Sequence, residues 1–132
     1  MDIKKRLEEE HSKTLTTAIV NFIGDDKKRF KILMDIFLQG EYRLTQRAAW
    51  PLSYVVIDHP DLVKPYFGKL IKKLQEPGAH PAIARNIFRM FQEVEIPEKH
   101  LGVLIDLCFK FIMNETKPAA IRAFAITVAS RI

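Results

Sequence analysis

Only one cysteine, Cys108, occurs in the 132 residues, so no internal disulfide can form and the composition suits a reducing compartment. The helical run around it (Leu104, Ile105, Leu107, Phe109, Phe111) is apolar, which marks the thiol as buried and inert. The five glycines are scattered and sit mostly at turns, which excludes a phosphate-cradling glycine loop. The four histidines, His11, His59, His80 and His100, share no metal-ligand spacing, and with one cysteine no zinc site is expected. No other cofactor is expected either. Paired carboxylates are missing too: Glu93 and Glu95 are two apart and point to different faces of the chain. Asp58-His59-Pro60-Asp61 reads as a turn with helix-capping aspartates. No catalytic motif is present.

Long apolar runs are absent as well. None approaches the roughly 18 residues that a membrane span requires. The start, Met1-Asp2-Ile3-Lys4-Lys5-Arg6, runs into charge where a signal peptide would turn apolar. A cytoplasmic protein with no membrane partner is expected.

What is present is an ordinary balance of 48 % hydrophobic and 28 % charged residues, enough for a packed domain. The 21 basic residues exceed the 16 acidic ones, giving a net charge of +5. That surplus is compatible with a polyanion but does not demand one.

The apolar spacing is helical throughout, and no alternating stretch competes with it. The chain reads as one domain over 1–132. A long N-terminal helix is expected over 2–23, with Ile3, Leu7, Leu15, Ile19 and Phe22 at helical spacing around a polar stretch from Glu8 to Lys13. Gly24 caps its end, and Asp25-Asp26 caps the next helix. Helices follow over about 26–39, 42–58, 61–75, 81–94, 98–113 and from 118 onward, giving pairs at 26–58, 61–94 and 98–132. Gly40 ends the second helix and Pro77-Gly78 the fourth, Asn114 to Lys117 form a turn, and Pro118 opens the last helix.

These pairs repeat. Adding 37 takes Phe30 to Phe67 to Leu104, Leu33 to Leu70 to Leu107, and Phe37 to Leu74 to Phe111. The same step takes Pro81 to Pro118, Arg85 to Arg122 and Ile87 to Phe124, and a shift of one residue brings Arg47 to Arg85. Helix pairs at a fixed period cannot bury their apolar faces alone, and stacking completes the core.

A period of 37, prolines near helix starts and an arginine early in each second helix (Arg47, Arg85, Arg122) resemble HEAT or armadillo-type repeats, across residues 26–132. The resemblance implies an all-α protein, a right-handed α-solenoid of about three HEAT-like pairs behind an N-terminal helix. Such repeats often place an acidic residue six positions before the arginine. Here Glu41 precedes Arg47, but Ala79 and Thr116 stand before Arg85 and Arg122, so those two arginines either meet other carboxylates or face solvent.

In the third helix Leu44, Ala48, Leu52 and Val55 form a core stripe, while Arg47, Trp50, Tyr54 and Asp58 form a second stripe on another face. Arg85 and Phe88, then Arg122, stand at equivalent places, with Arg89 beside them. Since second helices commonly line the binding surface of such repeats, the resemblance implies a partner-binding row of Arg47, Trp50, Tyr54, Asp58, Arg85, Phe88, Arg89 and Arg122. The competing structural reading packs Trp50 and Phe88 between helices and sets the arginines on nearby carboxylates or carbonyls. Pro51, inside the third helix, removes one of its hydrogen bonds.

The expected function is a non-catalytic binding or scaffolding module that takes a protein segment on the second-helix face. The alternative is nucleic-acid binding, remotely of the DNA-alkylation-repair glycosylase type. Trp50, Tyr54 and Asp58 resemble that family's aromatics and aspartate in a basic groove, but position 54 is Tyr where its aspartate would stand. The signature loop of fumarase-type lyases is nowhere present. The last helix carries Ile121, Phe124, Val128 and Ile132 with no polar capping repeat after it, so either the natural chain continues or self-association through the C-terminal helix covers its end.

Overall fold

A computed structural model describes residues 1–39, 41–78, 80–114 and 116–132. Helices and turns account for it, and no strand occurs among the described residues. The chain divides into two compact units, Met1–Leu62 and Val63–Ile132.

The first unit begins with α1 (Ile3–Glu9) and α2 (Lys13–Ile23). The single helix expected over 2–23 is therefore two. The physical cause is Ser12, which is extended (φ −144°, ψ 160°) and whose hydroxyl accepts from the Leu15 amide at 3.1 Å. That bond satisfies one of the free N–H groups that every helix start exposes. The Ser12 hydroxyl also donates to the Glu10 carboxylate, fixing the break. Asp2 caps α1 in the same manner, accepting from Lys5 N at 3.1 Å.

Gly24 ends α2 at φ +51°, a conformation that suits glycine. Then α3 (Lys27–Gln39) starts on Asp26, whose Oδ1 accepts from the amides of Lys28 at 2.9 Å and Arg29 at 3.0 Å. The Arg29 amide bond is the main reason that the Asp26 carboxyl is held below its ordinary pKa. Gly40, expected to end α3, lies outside the described residues.

The longest helix is α4 (Tyr42–Asp58), which continues through Pro51. It packs on α1, α2 and α3, so it is the element around which this unit closes. The expected core stripe of Leu44, Ala48, Leu52 and Val55 is buried. Phe30, Leu33, Met34 and Phe37 bury the facing side of α3. Phe22 is only half-buried, and the Arg29 guanidinium lies over its ring at 4.1 Å.

In the second unit the helix expected over 61–75 forms as α only from Phe67. Residues Pro60–Tyr66 are a 3₁₀ segment, and α5 runs Phe67–Gln75. Pro65 inside the segment supplies no N–H and disfavours α conformation at Lys64, so the tighter turn persists until it is passed. Next come α6 (Pro81–Phe91), α7 (Glu98–Met113) and α8 (Ala119–Arg131). Pro118 is the cap of α8, one place before its first turn.

Within this unit α5 packs on α6 and α7, while α8 packs on α6 and α7. Aromatic rings join the layers: Phe67 stacks on Phe91 at 5.2 Å between ring centres, and Phe88 meets Phe111 edge-on at 5.1 Å. Rows expected to be equivalent under the 37-residue step are all buried: Phe30, Phe67 and Leu104; Leu33, Leu70 and Leu107; Phe37, Leu74 and Phe111. Ile83 and Phe124 are half-buried, and Ile132 is exposed. The buried row of α8 is Ile121, Ala125 and Val128, one side of that helix only.

Candidate functional site

The stripe expected on α4 is one coherent face, and it looks toward the N-terminal helices. From its start to its end it meets successive parts of them. Arg47 Nη1 donates to the Leu7 carbonyl at 2.8 Å and the Glu8 carbonyl at 3.3 Å. These are the last-turn acceptors of α1, which the helix itself leaves unpaired, and a cation is well placed at that negative end. Trp50 is half-buried, with the His11 ring edge-on at 5.2 Å in the break between α1 and α2. The Ser53 hydroxyl donates to the Trp50 carbonyl at 2.8 Å.

Past Trp50 the face opens. Tyr54 is 47 % exposed and Asp58 is exposed. With Lys13, Thr16, Thr17 and Val20 of α2 they line a solvent-open groove of about 350 Å³. The groove offers a cation and a carboxylate, two hydroxyls, one phenol ring and one aliphatic side chain. Sequence reading found its α4 wall and missed its α2 wall. The missing signal was Ser12 as a helix start, which sets Lys13 in the first turn of a new helix.

The remaining candidates lie in the second unit. Phe88 is fully buried against Phe111 of α7, a first helix and not the neighbouring second helix of the competing structural reading, and offers no surface. Arg122 Nε donates to the Ile112 carbonyl at 2.9 Å, near the end of α7. Arg85 is half-buried and Arg89 is exposed one turn later on α6, and neither has a hydrogen-bond or ion-pair partner among the described residues. Of the places preceding the repeat arginines, Ala79 lies outside the described residues.

Another arginine, not singled out from the sequence, behaves like Arg47. Arg131 donates to the Phe91 carbonyl at 2.6 Å and the Val94 carbonyl at 3.2 Å, closing the end of α6. For Arg122 a carbonyl near a helix end thus stands in for the missing acidic partner.

Among the described residues no group of histidine, cysteine and acidic side chains could hold a metal ion. No helix among them is long and apolar enough to cross a membrane. The Cys108 thiol is fully buried, and burial pushes its pKa up to about 11.

Comparison with curated proteins and with solved structures found no match to either. A family model does match, described as a HEAT repeat domain and covering residues 3–132. The match takes in both units and includes α1 and α2, which the repeat period alone had left outside. With paired helices, buried rows in register and a match along nearly its whole length, the chain belongs to the HEAT repeat domain family.

Proposed function

We propose that this chain is a non-catalytic binding module that seats a segment of a protein partner on its second-helix face, with the groove between α2 and α4 as the seat. One observation supports this most. The groove is the place where the expected stripe stays open, and Tyr54 and Asp58 both line it. Its volume falls within the usual range of about 300–1,000 Å³ for ligand sites. Its lining is mixed in sign, which suits an extended peptide with polar backbone and side chains of either charge.

The same lining argues against a nucleic-acid backbone, because Asp58 would repel phosphate. Two of the four arginines that a phosphate clamp would use are engaged with carbonyls instead. Only Arg85 and Arg89 remain for such a ligand.

The test is affinity capture with the full chain, comparing wild type with Tyr54→Ala and Asp58→Lys and checking helical content of each by circular dichroism. A partner lost from both variants while the helices persist is the expected result. A partner retained by both overturns the assignment of the seat. If nucleic acid is captured with a salt slope of about −2, the value for two phosphate contacts, the protein-segment reading fails.

A further inference from the structure

The outer side of α7 carries a second feature, independent of the groove. Leu104, Leu107, Cys108 and Phe111 turn one side of this helix into the core. On the opposite side Val103, Asp106, Phe109, Lys110 and Met113 are all exposed. Three of these are large apolar residues: Val103 is 44 % exposed, Phe109 56 % and Met113 75 %. Phe109 and Met113 stand one turn apart on that side, and Val103 lies at its edge. Scattered apolar residues on a surface are ordinary, whereas Phe109 and Met113 side by side, flanked by Val103, form a patch.

The charges within that stripe decide what fits it. Asp106 and Lys110 have no hydrogen-bond or ion-pair partner among the described residues. Turn a copy of the helix antiparallel about a two-fold axis level with residue 108, and the positions exchange in pairs. Val103 then meets Met113 of the copy, Asp106 meets Lys110, and the two Phe109 rings flank the axis. Within 103–113 both charges are matched twice. A two-fold contact requires such self-complementarity, because the same patch serves both partners. Gly102, beside the stripe, has nothing within 4 Å of where a Cβ would be and adds no bulk at the edge of the contact.

We infer that the outer stripe of α7 is a homodimer contact, in which α7 of one chain packs antiparallel on α7 of a second copy, with Phe109 at its centre and reciprocal Asp106–Lys110 pairs beside it. One helix pair over three turns buries less than the roughly 1,600 Å² of a standard interface. The dimer is therefore weak and depends on concentration. This differs from association through the last helix, for which Ile126, 53 % exposed on α8, serves as the control position.

Sedimentation velocity on the full chain from micromolar to millimolar concentration tests it, with circular dichroism to confirm that each variant is folded. Wild type should move from monomer to dimer as concentration rises, Phe109→Glu should stay monomeric, and Ile126→Glu should dimerise like wild type. Asp106→Lys and Lys110→Asp should each weaken dimerisation at least tenfold. Mixed one to one, those two variants should form a heterodimer, since a helix with two lysines then faces one with two aspartates. A wild type that stays monomeric at millimolar concentration overturns the inference. So does a Phe109→Glu dimer, loss of the dimer on Ile126→Glu, or a mixture of the two charge variants that stays monomeric.

Discussion

Replacing Arg47 by methionine keeps an unbranched apolar stem but removes the guanidinium that holds the end of α1. Two bonds are lost, a good one to the Leu7 carbonyl at 2.8 Å and a long one to Glu8 at 3.3 Å. A hydrogen bond to a charged donor contributes about 1.5–3 kcal/mol when well shielded. Arg47 is half-exposed, so the lower end applies, and the 3.3 Å bond adds little. The favourable charge at the helix end contributes a further 0.3–1 kcal/mol or so. A loss of about 2 kcal/mol is therefore expected. The loss should also be local, because α1 has seven residues and isolated helices below about 12–15 residues are marginal in water. Urea unfolding should show a lower midpoint with an unchanged slope, and amide exchange should quicken in α1 before it does in α4. Arg89→Met is the control, since Arg89 is exposed without a partner and should change stability by less than about 0.5 kcal/mol. Equal effects of the two substitutions, or unaltered exchange in α1, would refute the assignment of Arg47 as the tie.

Two further outcomes test the second unit. Phe88→Ala empties a fully buried site beside Phe111 and should cost about 3–5 kcal/mol by thermal or urea unfolding, a loss that an exposed contact residue would not show. Cys108 should resist thiol reagents in the native state at pH 8. Its folded pKa is raised to about 11 from 9.0, so the folded chain keeps the proton more tightly than the unfolded chain. That contribution is complete below pH 9 and is lost as pH rises from 9 to 11, so Cys108→Ala should flatten the decline in stability across that window.

Much of this architecture could be read from residue spacing. The first helix of each pair is amphipathic, and a register of 37 lines up residues that all turn out to be buried, because identical hairpins bury identical positions. The second helices were less legible. The row Ala49, Ile87, Phe124 passes from buried to half-buried, since α8 buries one side only. Arginine partners were the least legible of all. A backbone carbonyl near a helix end leaves no trace in residue identity, so the partner of Arg122 could not be read, while Arg85 has no side-chain partner among the described residues. Ser12, by contrast, was readable: a serine three places before Leu15 is an ordinary helix-start signal, and the polar stretch around it obscured the break. Missing that break hid Lys13, Thr16 and Thr17, and with them half of the groove.

The arginine ties have a kinetic side. Arg47 reaches back 40 residues to Leu7, and Arg131 reaches back 40 to Phe91, farther than the hairpin contacts that let helical chains collapse quickly. Closing a loop of that length costs chain entropy before the bond returns anything, which favours late formation of both ties. Interactions formed after the barrier slow escape from the native state without hastening arrival. The two guanidinium groups thus act as latches, which set how long each unit stays closed more than how fast it forms.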